Sequence, residues 1–154
     1  MLKTATAVLA VFVAIVVPAA ARAQSTPVGL WKTIDDETKK EKSFVRISDS
    51  GGVLTGKIEK LVDASKQNDV CDKCTDDRKG KPIVGLTIIR NARMSGDDAT
   101  TWTGGDGWEG GEILDPNNGK RYKLKLKSID GGAKLELRGY IGPFYRNQTW
   151  LRVE

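Results

Sequence analysis

Lys120-Arg121-Tyr122-Lys123-Leu124-Lys125-Leu126-Lys127 alternates without a break. Successive side chains of an extended chain point to opposite faces, so Tyr122, Leu124 and Leu126 share one side and Arg121, Lys123, Lys125 and Lys127 the other. Asp130-Gly131-Gly132 then turns the chain, and residues 133–140 repeat the pattern with Leu135 and Leu137 set against Lys134, Glu136 and Arg138. Two such strands joined by a short turn, each with one wet face, predict an antiparallel sheet covered on one side only.

The same reading extends in both directions. Toward the N-terminus it gives strands over residues 28–34, 42–48, 53–61, 83–91 and 106–114, the fourth apolar enough to be covered on both faces. Beyond the Gly142-Pro143 break, residues 146–153 make the last. Gly, Asp, Asn and Pro clusters separate them, with Asp115-Pro116-Asn117-Asn118-Gly119 the strongest turn signal. Residues 62–82 form a long polar loop. No long window carries apolar residues at helical spacing. Eight strands of this kind predict an all-β fold, an eight-stranded antiparallel up-and-down β-barrel wide enough for side chains or one small ligand. A two-sheet sandwich is the competing architecture, but closure disposes of sheet edges and is preferred.

The chain has 154 residues and a net charge of +5. Lys3, an uncharged apolar run over residues 5–17 and the small-x-small site Ala21-Arg22-Ala23 read as a cleaved signal peptide over residues 1–23. The run is too short for a convincing membrane span. The expected mature chain, residues 24–154, is one domain in the periplasm or secreted. The leader takes Lys3 and Arg22 and no acid with it, so the mature charge is +3. That mild, scattered charge argues against nucleic acid as a partner. Histidine is absent, which removes Ser-His-Asp and Cys-His catalysis and imidazole metal sites. The expectation is a protein that is not an enzyme and uses neither metal nor cofactor.

Gly29-Leu30-Trp31 and Thr149-Trp150-Leu151-Arg152 fall in the first and last strands, which a closed barrel makes neighbours. Gly29, Trp31, Trp150 and Arg152 are accordingly read as closing one end, with an arginine covering a tryptophan. Arg146, Gln148, Trp150 and Arg152 share one face, interior or exterior. Cys71-Asp72-Lys73-Cys74 is expected to be a local disulfide, since no helix follows to activate a thiol and four zinc ligands are lacking. The glycine-rich stretch around Trp108 lacks the lysine and helix of a phosphate loop. Bulges in a barrel strand explain it better. Asp35-Asp36-Glu37 lacks calcium-loop spacing and reads as a solvated turn.

The order of these motifs resembles a known family. Gly29-x-Trp31, Asp35-Asp36-Glu37-Thr38, Gly56-Lys57-Ile58, Cys71-x-x-Cys74 and Lys81-Pro82-x-x-Gly85 lead to Gly111-x-Ile113-x-Asp115-Pro116-x-x-Gly119-x-x-Tyr122. Arg138-Gly139-Tyr140-x-Gly142 and Arg146-x-Gln148-Thr149-Trp150-x-Arg152 complete the series. The chain resembles the small exported bacterial proteins catalogued as domain of unknown function 2147. That resemblance implies a lipocalin-like, calycin-type barrel and lends no catalytic residue. The mature chain is short for a full lipocalin, which leaves room for a shallower or partly filled interior.

The leading functional expectation is a periplasmic barrel that binds a small apolar or amphipathic molecule, with Trp108, Arg138 and Tyr140 as ligand contacts near the rim. The alternative is a structural or interaction module of the cell envelope, with a filled barrel and an external face such as the lysines of residues 120–127. Redox exchange at Cys71 and Cys74 is the third.

Overall fold

The computed structural model describes residues 26–94, 101–104 and 111–154. The expected leader and Trp108 lie outside the described residues. Among the described residues nine strands occur in chain order: β1 (Gly29–Ile34), β2 (Glu41–Ser50), β3 (Val53–Leu61), β4 (Thr87–Met94), β5 (Thr101–Gly104), β6 (Glu112–Asp115), β7 (Lys120–Ile129), β8 (Lys134–Ile141) and β9 (Phe144–Arg152). All pairings are antiparallel. Around the barrel the order is β3, β2, β1, β9, β8, β7, then β5 and β6, then β4, which pairs back onto β3. Both β5 and β6 bridge β4 to β7, at different heights, so the two fill one position. The result is a closed eight-stranded barrel. Its seam is the pairing of Trp31 with Arg152 and of Lys32 with Leu151.

The alternation read from sequence decides which side chains go in. Leu124 and Leu126 of β7, and Leu135 and Leu137 of β8, are buried, while Lys123, Lys125 and Lys127 are exposed. On β9 Trp150 is buried and Leu151 exposed, which assigns the face of Gln148 and Trp150 to the interior. The polar residues at every second position face water, and burial of the inner residues contributes roughly 1.5–3 kcal/mol for each large apolar side chain.

Most strand ends fall within two residues of the sequence reading, and the largest departure is at the start of β4. The strand expected over residues 83–91 begins at Thr87, because Gly85 takes φ +91° and the Leu86 amide donates to the Ile83 carbonyl, making a turn there. Of the strand expected over residues 106–114, the part from Glu112 is seen and runs to Asp115; residues 106–110 lie outside the described residues.

The connection between β3 and β4 is packed rather than loose. One 3-10 turn (Ala64–Lys66) is capped by the Asp63 carboxylate, and Val70 bridges to Pro82. Cys71 and Cys74 form a disulfide and are both fully buried. A Cβ on Gly119 would sit 1.9 Å from the Lys73 carbonyl oxygen, and the residue holds φ +72°, so the close approach of the β6–β7 turn to the disulfide loop at this point requires a glycine.

Arg78 fastens this connection to the barrel. Its side chain is 1% exposed, donates to Asp76 and to Glu112 of β6 (2.6 Å), and reaches the Thr87 carbonyl at 3.2 Å. Nearby, Arg90 of β4 grips both oxygens of Asp77 at 2.8 and 2.9 Å. Hydrogen bonds from Arg78 and Arg90 hold the Asp76 and Asp77 carboxyls below the usual carboxylate range.

Two outcomes are expected. Arg78→Leu strands Asp76 and Glu112 without their shared cation and lowers the urea-unfolding free energy by about 3 kcal/mol; a loss under 1 kcal/mol would contradict the anchoring role. Because the folded Asp76 and Asp77 are more acidic than the unfolded ones, their stabilisation is intact above about pH 5 and fades as pH falls through the unfolded carboxylate range toward the folded values. The thermal midpoint should be flat from pH 7 to 5 and decline below that, less steeply in Asp76→Asn/Asp77→Asn.

Candidate functional site

The two ends of the barrel are built differently. At one end β1 begins, β9 finishes and the β7–β8 turn crosses over. Here the Arg152 guanidinium lies 4.2 Å from the centroid of the Trp31 ring. It donates to the carbonyls of Val28 (2.9 Å), Thr26 (2.6 Å) and Gly132. The Trp31 indole N–H donates to the Pro27 carbonyl at 2.7 Å. Burial pulls the Arg152 pKa below its ordinary value, yet a guanidinium stays charged. Gly29 makes room for this cation: it holds φ +142°, and a Cβ there would lie 2.6 Å from Arg152 Nη1 and 2.5 Å from the Glu154 carbonyl oxygen. Above this seal Val45, Ile47, Leu54, Leu126 and Leu135 are 0–2% exposed and fill the cross-section.

The other end is open. A cavity of about 600 Å³ enters between the β1–β2 turn, the start of the β3–β4 connection, the β6–β7 turn and the β8–β9 hairpin. Ile58, Ile88, Leu114, Leu137 and Trp150 give it apolar walls, and none of the residues that fill the sealed half lines it. Near the entrance stand Asp35, Glu41, Asp63, Asp69 and Asp115 among Lys40, Lys42, Lys66 and Arg146. The entrance therefore mixes charges while the walls carry none.

A chain of hydrogen bonds runs from the wall to the rim. The Trp150 indole N–H donates to Gln148 Oε1 at 3.1 Å, and Gln148 Nε2 donates to Asp36 at 3.0 Å. Arg146 donates to the same Asp36 oxygen at 2.6 Å, an ion pair that lifts the arginine's pKa further. The β1–β2 turn is thereby tied to β9. Within the turn the Asp35 carboxylate accepts from Glu37 N, Thr38 N and the Thr38 hydroxyl, and it is held below the usual carboxylate range by Thr38 first of all. Lower on the wall Thr33 and Ser43, each 6% exposed, face one another across β1 and β2 with their hydroxyl oxygens 2.8 Å apart.

Of the residues singled out from sequence, Gly29, Trp31 and Arg152 meet at the sealed end, and Trp150 lines the cavity. Arg138 and Tyr140 lie elsewhere: they alternate with the buried Leu137 and the cavity-lining Gly139, so they face outward and are not among the lining residues. There Arg138 donates to Asn147 and stacks 4.6 Å from the Tyr145 ring centroid, Tyr145 meets Tyr140, and Lys125 lies over Tyr140. Trp108 falls outside the described residues. Sequence reasoning missed Thr33, Ser43 and Asp36. Strict alternation from Trp31 carried the signal for Thr33; nothing local distinguishes Asp36 from its acidic neighbours. Among the described residues no group of three or more His, Cys, Asp or Glu side chains is placed to hold a metal ion, and no helix is long and apolar enough to cross a membrane.

Over residues 29–152 the chain matches the family described as "Uncharacterized protein conserved in bacteria (DUF2147)", and it belongs to that family. Its fold is similar to the solved structure of protein HP1028 from Helicobacter pylori, described as belonging to the lipocalin family. The TM-score is 0.69 at 18% identity, over 85% of each chain. No curated protein matches the sequence.

Removing the rim tie tests its role. Asp36→Ala is expected to raise backbone hydrogen exchange at residues 37–40 about fivefold or more while leaving the thermal midpoint within about 2 °C, since a partly exposed ion pair contributes little to global stability. Unchanged exchange would mean that the turn is held by Asp35 alone.

Proposed function

We propose that this member of the DUF2147 family is an exported binding protein that takes one small apolar or amphipathic molecule into the open half of its barrel. The observation that carries the reading is the 600 Å³ cavity with apolar walls and a charged rim. Its size falls in the range of small-molecule sites, and its polarity runs in one direction, from dry walls to wet mouth. An amphipathic guest fits that gradient. The filled half beneath gives the cavity a rigid floor.

Export is supported by the leader-like first 23 residues and by the Cys71–Cys74 disulfide, which an oxidising compartment maintains. A binding role without catalysis is supported by the absence of histidine and by how the polar groups near the cavity are engaged. Asp36 holds Arg146 and Gln148, and Asp35 caps its own turn.

A second reading uses the outside. The row Lys125, Tyr140, Tyr145 and Arg138, with Phe144 73% exposed at the adjoining hairpin, offers cations and aromatic faces to an anionic envelope polymer. Salt-dependent retention on isolated cell walls, lost in Lys125→Glu/Arg138→Glu, is its expected result; equal retention of the variant would dismiss it.

For the cavity reading, native mass spectrometry of gently purified protein should show a 1:1 adduct. Ile58→Phe, which extends a side chain into the cavity, should weaken uptake of a neutral fluorescent probe at least tenfold while keeping the β-sheet circular dichroism signal. Undiminished uptake in a folded variant would place the guest elsewhere.

A further inference from the structure

The buried hydroxyl pair narrows the chemistry of the guest, an inference that rests on the cavity reading above. Thr33 and Ser43 both line the cavity, and each is more than nine-tenths buried. Two hydroxyls bring two O–H protons. The pair shares one hydrogen bond, Thr33 Oγ1 to Ser43 Oγ at 2.8 Å, which uses one of them whichever oxygen donates. The other bond at this point is donated by the Ser43 backbone N–H to Thr33 Oγ1 at 3.1 Å, and it uses an acceptor site, not a proton. Among the described residues one O–H is therefore left without an acceptor on an apolar wall. Buried donors of this kind are ordinarily paired.

The surroundings decide what should pair with it. The buried polar or charged residues among those described are Thr33, Ser43 and Arg78, and Arg78 is engaged by Asp76 and Glu112 away from the cavity lining. No buried cation thus stands ready to compensate an anion at the hydroxyl pair, and an unpaired charge is strongly disfavoured in such a setting. The Trp150 indole N–H is already donated to Gln148, so that ring offers only apolar surface. Of the rim cations, Arg146 is engaged by Asp36 and Lys66 lies 3.9 Å from Asp63, while Lys40 and Lys42 stand at the entrance and are not among the buried residues around the hydroxyl pair.

We infer that the cavity selects an amphipathic molecule whose hydrogen-bond-accepting group is uncharged, an ester, amide or ketone carbonyl, which accepts the spare proton of the Thr33–Ser43 pair. The hydrocarbon part lies against Ile58, Ile88, Leu137 and Trp150. A free carboxylate of the same chain length is the disfavoured analogue.

Displacement of the neutral fluorescent probe N-phenyl-1-naphthylamine from the full chain separates the possibilities. Methyl laurate and lauramide should displace it, and laurate at pH 8 should be at least tenfold weaker. The single variants Ser43→Ala and Thr33→Val each retain one free O–H, so each should keep methyl laurate affinity within about threefold. Only Thr33→Val/Ser43→Ala should lose about tenfold in methyl laurate affinity relative to its own affinity for the probe, the size of one neutral hydrogen bond, with the circular dichroism retained. Thr33→Ser/Ser43→Ala should restore the ester. Laurate binding as well as its methyl ester, or full ester affinity in the double variant, would overturn this inference and leave the cavity reading intact. Failure of the probe to bind at all would overturn both.

Discussion

The Arg152 guanidinium over the face of Trp31, 4.2 Å from its centroid, joins the two ends of the chain into one structure. A barrel of this size has no edge only if its first and last strands pair, and here that pairing is short, with Trp31 opposite Arg152 and Lys32 opposite Leu151. Few ladder bonds hold the seam, so side chains reinforce it. Arg152 satisfies carbonyls from Thr26, Val28 and Gly132 while its planar face covers the indole. A desolvated cation–π contact contributes about 2 kcal/mol, and the carbonyls compensate the guanidinium for the water it gives up.

The sealed end also fixes what the open end can be. Large side chains fill the half nearest Trp31, so the cavity is confined to the half nearest the β1–β2 turn. This division answers the question that the strand pattern left between a filled and an open barrel: the interior is both, at different heights. The β3–β4 connection contributes from outside the ladder. Arg78 and the buried disulfide fasten it against β6 and the β6–β7 turn, and residues toward both of its ends, Val62, Asp63 and Lys66 at one and Ile83 at the other, reach the cavity.

Much of this was legible in the chain itself, for a physical reason. Alternation over residues 120–127 and 133–140 directly encodes which side is wet, so the strands, their antiparallel order and the closure followed. The start of β4 was misplaced because Ile83 and Leu86 are apolar enough to pass for strand residues, whereas Gly85 bends the chain there. The interior placement of Gln148 and Trp150 needed the fold, since alternation sorts residues into two faces without saying which is inside. Arg78 sits in a run of charges that reads as solvated, and its burial comes from Glu112, contributed by a distant strand. Asp36 belongs to the same class: its partners Arg146 and Gln148 lie more than a hundred residues away along the chain. Arg138 and Tyr140 were expected at the rim of the cavity, but β8 turns Leu137 and Gly139 toward it and these two away.

In the proposed binding mode a guest enters opposite the Trp31 seal and rests against the apolar wall of the open half. Side-chain methyl and indole NMR spectra, recorded with and without saturating N-phenyl-1-naphthylamine, test it most directly. Shifts are expected at the Ile58, Ile88 and Leu137 methyls and the Trp150 indole, with the Trp31 indole unmoved. Shifts centred on Trp31, or confined to the outward Tyr140 and Tyr145 rings, would contradict it.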